Sequence, residues 1–219
     1  FIFWKRILSL VGLYKLEGNT PTKFNILHVA VGILPAGVFG LLFEDFIDDH
    51  LFSIETVIIG LLVGAVFMII ADKLGPRRPS INSLDEISYG KAFKIGLIQC
   101  ISLWPGFSRS GSTISGGVLL GLDHKTAADF TFIMAVPIMM GASGLSLVKN
   151  WEAISMEHIS FYVVGFVTAF IFALISIKFF LKLISRIKLM PFAIYRIVLA
   201  MILAFIVFLN LFCIKLKPS

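Results

Sequence analysis

Four stretches of the chain, 24–43, 130–148, 159–177 and 197–214, hold no Asp, Glu, Lys or Arg, and each approaches the roughly 20 residues that carry an α-helix across a bilayer. A shorter one, 56–71, reads the same way. Hydrocarbon offers backbone amides and carbonyls no partner, so a spanning segment must satisfy them internally, and apolar runs of this length do so as helices. With 58% hydrophobic and 15% charged residues among 219, lipid is the solvent for most of the chain. The expected fold is all-α, a polytopic transmembrane helix bundle forming one membrane domain over residues 1–219. The apolar segment 1–4 runs straight into Lys5 and Arg6 with no initiator Met. It reads as the end of a further span, so the chain is expected to lack an N-terminal segment.

A net charge of +6 raises the question of a nucleic-acid partner, and the placement of the basic residues argues against one. Lys5, Arg6, Lys15 and Lys23 precede the first complete span, whereas the loop expected after it carries Glu44, Asp45, Asp48 and Asp49 and no Lys or Arg. Lys73, Arg77, Arg78, Lys91 and Lys94, and later Lys182, Arg186 and Lys188, return to the first side. This is the positive-inside pattern, with the basic side cytoplasmic. The loop 150–158, where Glu152 and Glu157 oppose Lys149, is then external, and Lys215 and Lys217 fall outside as a mild exception. Cys100 and Cys213 lie in apolar runs and read as small hydrophobes, with neither a disulfide nor a metal role. Segment 75–88, with Pro76, Arg77, Arg78, Pro79 and Asn82, reads as a surface loop.

Between Lys94 and Asp123 the pattern breaks. Arg109 divides the sequence into charge-free stretches 95–108 and 110–122, each too short to cross. Lys94 and Lys125 belong to the same side, so the segment predicts a re-entrant helix-loop-helix hairpin over about residues 92–122, turning near the bilayer middle at Pro105 and Gly106. From Trp104 to Thr113 the turn concentrates four hydroxyls, one guanidinium and two glycines. Pro105 and Gly106 stop the first half-helix. Ser112 or Thr113 caps the second, whose amides and dipole then form an anion site. Arg109 adds a planar fork that matches phosphate oxygens, and Ser108, Ser110 and Thr113 add hydroxyl donors. Phosphate is the expected ligand.

An arginine at membrane depth is costly, which makes a functional role the default. The competing reading has the hydroxyls as interhelical glue and Arg109 paired with an unseen carboxylate. Two other motifs fail. Gly106 to Thr113 imitates a P-loop, but Ser112 stands where the lysine is needed and no strand precedes it. The Ser-Arg pair of acid-phosphatase-like lipid phosphatases is followed by a His, and none lies near Ser115.

The segment LDEISYGKAFKIGLIQCISLWPGFSRSGSTISGG closely resembles the signature region of the bacterial undecaprenyl-diphosphatase, or bacitracin-resistance, family. ADKLGPRRP at 71–79, FTFIMAVPIMMGA at 130–142 and MPFAIYR at 190–196 resemble family segments too, so the likeness extends over essentially the whole chain. It implies inverted repeats and a plasma-membrane enzyme whose site faces the outer side. That enzyme removes the terminal phosphate of undecaprenyl diphosphate and recycles the carrier lipid for cell-wall synthesis. Carried over through PGxSRSxxT, the resemblance puts catalytic roles on Ser108 and Arg109 and phosphate binding on Ser108, Arg109, Ser110 and Thr113, with Arg109 stabilising developing charge. It also implies a Glu-rich stretch followed by Ser, Thr and His on an earlier hairpin, which nothing here matches. His28, His50, His124 and His158 are not stand-ins and read as structural or solvated. A divalent cation, Mg2+ or Ca2+, bridging the diphosphate is implied by the same likeness. No metal-ligand spacing is visible in the residues. The partners implied are the polyprenyl diphosphate lipid and membrane lipids, and a homo-oligomer is compatible with them. The runner-up from a different class is a carrier or flippase for a phosphate-bearing lipid, and a structural membrane subunit stands third.

Three minor assignments complete the reading. Asp129 is placed either to orient Arg109 or to cap the helix from Phe130 onwards, and the cap is the expected role. Arg196 and Lys178 are expected to snorkel towards headgroups. Gly60 with Gly64, and Gly117 with Gly121, read as small-residue faces for close helix packing, and Gln99 and Ser102 either as bonds to the turn or as polar glue.

Overall fold

The computed structural model describes residues 3–10, 23–151 and 159–215. Its helices are α1 (Trp4–Leu10), α2 (Ile26–Leu42), α3 (Glu44–Leu51), α4 (Ile54–Leu74), α5 (Tyr89–Gln99), α6 (Arg109–Leu119), α7 (His124–Lys149), α8 (Ile159–Ile187) and α9 (Met190–Lys215). The described residues form no strand, only a single bridge between Ile81 and Leu122. The architecture is all-α, as expected. Helices α4, α7, α8 and α9 are each long and apolar enough to cross a membrane, and the bent pair α2 and α3 makes a fifth candidate. The chain is a multi-pass membrane protein. Lys15, the loop 152–158 and Lys217, for which the sequence predicts sides of the membrane, lie outside the described residues.

The acidic segment after the first span departs from expectation. It is a helix, α3, set at 70° to α2, where the sequence suggested a loop. Glu44 and Asp45 lie in its first turn and His50 in its last, the order that complements a helix dipole. Helix α7 begins earlier than expected. Its cap is Asp123, whose carboxylate accepts from Thr126 N at 2.6 Å. Asp129 is therefore an interior position of α7, and the capping role assigned to it falls to Asp123.

A set of polar ties gathers the helix ends that the basic residues mark. Asp85 accepts from Arg6 at 2.8 Å and from the amide of Phe24 at 3.1 Å. His28 on α2 stacks on Tyr89 of α5 with centroids 3.9 Å apart. Ile81 N donates to Gly121 O at 3.1 Å, and Asp72 near the end of α4 pairs with His124 at the start of α7 at 2.7 Å. The hairpin therefore begins and ends at the basic end of the bundle, which is the geometry of a re-entrant segment.

Helix α6 ends in a Schellman motif. Leu122 N bonds Gly117 O at 3.0 Å and Gly121 N bonds Val118 O at 3.0 Å, with Gly121 at φ +96°. Only glycine takes that conformation cheaply. Gly121 is therefore a chain-reversal residue, and the packing role read for it belongs to Gly117 alone. From Gly111 to Val118, α6 is buried on every side. Its glycines let three neighbours approach: Gly111 faces Met68 of α4, Gly116 faces Ile98 of α5, and Gly117 faces Ala127 of α7.

The turn does not sit at the middle of α4. Trp104 Nε1 donates to Thr56 O at 3.0 Å. A Cβ on Gly60 would collide with Pro105 O, and one on Gly106, at φ +88°, would collide with Val57 O. Counting along α4, Gly60 lies about 9 Å from Ile54 and about 21 Å from Leu74. The hairpin thus reaches past the centre towards the acidic end.

Candidate functional site

The turn is shaped by Ser108. At φ +78° it occupies the left-handed region, a conformation that costs a non-glycine residue about 1–3 kcal/mol and recurs at functional sites. Its Oγ accepts from Gly111 N at 3.2 Å and its carbonyl from Ser112 N at 2.9 Å. Ser108 is thus the cap of α6, in place of Ser112 or Thr113. Those two lie inside the helix, and their hydroxyls donate back to the Arg109 carbonyl at 2.9 and 3.0 Å. The amides of Arg109 and Ser110 open the helix and have no acceptor within it. They present the dipole's positive end to whatever lies in front of the turn.

A cavity of ≈ 400 Å³ lies against this turn. Gly106, Ser108, Ser110 and Gly111 line one side, Leu61 and Met68 of α4 a second, and Phe192, Tyr195 and Arg196 of α9 a third. Arg196 is only 6% exposed. Its guanidinium donates to the Gly106 carbonyl and lies 3.5 Å from Gly60 O, with Nε 3.4 Å from Leu61 O. The snorkelling assigned to Arg196 is therefore incorrect. The guanidinium is engaged by the Gly106 carbonyl of the turn, a hydrogen bond from a charged group that outweighs the pull of the headgroups. Gly60 and Gly64 fit the same picture, because a Cβ on Gly64 would strike both Phe107 O and the Arg196 guanidinium. The glycine face of α4 accommodates the turn together with Arg196 of the neighbouring α9. Lys178 is exposed on α8.

The four residues singled out in the sequence divide. Ser108 and Ser110 line the cavity. Thr113 is buried at 1% exposure, with its hydroxyl 2.9 Å from that of Thr131 on α7. Arg109, one helical turn before Thr113, leaves α6 from the same face. Its Nε and Nη2 are buried with no hydrogen-bond partner. No carboxylate lies within ion-pair range of it among the described residues. Of the two polar residues on the first leg, Ser102 donates to Gln99 O at 2.6 Å, within its own turn, and Gln99 Oε1 is buried without a partner.

Two residues at work here escaped the sequence reading. Arg196 could have been found by the test applied to Arg109, since it lies about 9 Å inside α9 from Met190, too deep for a headgroup-level position. Asp72 accepts from the amides of Leu189 and Met190 at 2.9 and 2.7 Å and so fixes the start of α9. No local sequence signal connects residues that far apart.

Residues 1–202 match the family described as bacitracin resistance protein BacA. The chain belongs to this family. The match takes in the hairpin, the cavity and Arg196. A protein named undecaprenyl-diphosphatase from Exiguobacterium sibiricum is 67% identical over 212 residues, covering 95% of this chain and 76% of that protein. Proteins of the same name from Staphylococcus haemolyticus and Bacillus subtilis are 60% and 57% identical, covering 95% and 94% of this chain and 74% and 75% of their own lengths.

Proposed function

We propose that this protein hydrolyses undecaprenyl diphosphate to undecaprenyl phosphate and phosphate, and that the turn 105–113 holds the phosphate being removed. One observation carries the assignment of the site. The N-terminus of α6, the hydroxyls of Ser108 and Ser110 and the buried Arg196 converge on one cavity, in a chain whose relatives bear that enzyme name. In the reaction, water adds to the terminal phosphorus and the bond to the bridging oxygen breaks. The electron pair leaves on the lipid phosphate, and the proton of the water passes to a base. Charge on the transferred group is spread over its peripheral oxygens, so positioned donors are the main aid a protein can give.

Ser108, Ser110 and the free amides of α6 supply such donors directly. Arg109 is not among the residues lining the cavity; with two buried nitrogens lacking an acceptor, it is the uncommitted charge beside the turn, placed to answer an arriving phosphate. Thr113 acts one step back, holding the Arg109 carbonyl. Among the described residues, those lining the cavity include no Asp, Glu or His, so the role proposed for them is binding and charge stabilisation. The same donor set does not fit a metal ion, having guanidinium and hydroxyl groups without a carboxylate. No step is therefore assigned to Mg2+ or Ca2+. The expected location is the bacterial plasma membrane with the site opening outward. The offset of the turn towards the acidic end of α4 supports it, given that basic ends face the cytoplasm. There the reaction would return carrier lipid to cell-wall synthesis and counter bacitracin.

The test is phosphate release from undecaprenyl diphosphate by the full-length protein in liposomes. Arg109→Ala should lower kcat/KM by about 10²–10³-fold. Equal release by both proteins removes Arg109 from the site. Leaflet exchange of labelled lipid without phosphate release would establish a carrier instead.

A further inference from the structure

A second cavity, of ≈ 410 Å³, lies at the basic end of the bundle and shares no lining residue with the first. It is bounded by the end of α4, the loop from Gly75 to Pro79, the end of α6, His124 of α7 and Lys188. The spans α4, α7, α8 and α9 all begin or end here, at Leu74, His124, Ile187 and Met190. The cavity is therefore at the level where apolar spans give way to headgroups.

Its charges are unbalanced. Among the described residues Asp72 is the only carboxylate lining it, and both its oxygens are engaged, one with His124 at 2.7 Å and the other with the amides of Leu189 and Met190. Lys73, Arg77 and Lys188 face the same space, and no carboxylate lies in ion-pair range of any of them among the described residues. Lys188 sits at φ +58° immediately after α8, a position that glycine ordinarily fills. The fold accepts that backbone cost and gains a cation. The walls are firm, since Pro76 and Pro79 flank the loop and the Ile81–Leu122 bridge ties it to the end of α6.

We propose that this cavity binds the phosphate of an anionic phospholipid, of the phosphatidylglycerol or cardiolipin class, from the leaflet on the basic side. Three cations around a rigid pocket at headgroup level match a phosphodiester whose acyl chains remain in the bilayer. A zwitterionic headgroup would bring its own cation into an already positive site and is disfavoured.

The test uses the purified full-length protein in detergent, with retained lipid read by native mass spectrometry. Wild type should hold phosphatidylglycerol in preference to phosphatidylcholine. The Lys73→Ala/Arg77→Ala/Lys188→Ala variant should bind it roughly 100-fold more weakly, from the share of each basic residue. Lys94→Ala/Lys182→Ala, which removes two cations that do not line the cavity, should bind it as wild type does. An unchanged melting temperature in phosphatidylcholine shows that the triple variant is folded. If that temperature falls, the single Arg77→Glu variant, at an exposed loop position, carries the same test. Undiminished phosphatidylglycerol in the folded variant overturns the proposal, as does an equal loss in the control pair. Displacement of the lipid by equimolar inorganic phosphate would mark a free-anion site and overturn it too.

Discussion

Replacing Arg196 by alanine separates two incompatible expectations. A lysine or arginine that merely reaches for headgroups can be lost at little cost, whereas Arg196 is 6% exposed and donates to the Gly106 carbonyl. A buried hydrogen bond to a charged group is worth about 1.5–3 kcal/mol. The contacts to Gly60 O and Leu61 O, at 3.5 and 3.4 Å, lie beyond the usual N–H···O range and add little. Loss of the first bond alone, if it loosens the turn equally in the transition state, lowers kcat/KM by roughly 10–150-fold. The guanidinium also lines the cavity. Removing a donor to the phosphate costs about 10²–10³-fold on its own, so the two losses together should lower kcat/KM by at least about 10³-fold. The assay is phosphate release by the reconstituted full-length protein, with kcat and KM measured separately and thermal unfolding recorded alongside. Arg196→Lys keeps the charge without the fork and should recover only part of the loss. An Arg196→Ala protein with kcat/KM within about threefold of wild type and an unchanged melting temperature would refute the reasoning, because neither the bond nor the cavity wall would then matter.

Thr113→Val should lower stability by about 1 kcal/mol through the lost bonds to the Arg109 carbonyl and Thr131, and leave kcat/KM within about tenfold of wild type. A fall of about 10²-fold or more at unchanged stability would instead make its hydroxyl a phosphate ligand. Asp72→Ala should lower unfolding stability by about 2–4 kcal/mol, since the amides of Leu189 and Met190 and His124 all lose their acceptor. Asp72→Asn should cost less, and equal melting temperatures for the two variants would show that the acceptor is dispensable.

The spans and the hairpin were legible because both follow from where charge is absent. The runs 130–148 and 159–177 lie within α7 and α8, and the short stretches on either side of Arg109 became the two legs of the hairpin. The chemistry of the turn was legible as composition, in its hydroxyls, glycines and one arginine. Its geometry was less so. The cap moved from Ser112 or Thr113 to Ser108 because a serine at positive φ ends the turn earlier than side-chain preference suggests. Thr113 turned towards α7 because the partner hydroxyl of Thr131 is set by helix packing, which no local pattern encodes. Arg196 was misread for a related reason: depth and snorkelling look alike until the carbonyls that it meets, on segments 90 and 136 residues away, are in place.

The enclosure of α6 bears on the order in which the protein is assembled. Its segment from Gly111 to Val118 carries hydroxyl groups and three glycines packed against α4, α5 and α7, and the broken backbone before it cannot rest against lipid. Two of those neighbours are synthesised before it and one after. Arg196, which grips the turn, arrives only with α9. Since a nascent chain emerges from its N-terminus, the hairpin must wait, half-housed, for helices not yet made. The segment at the centre of the sequence is among the last to be finished, and the final helix described, α9, is the one that secures it.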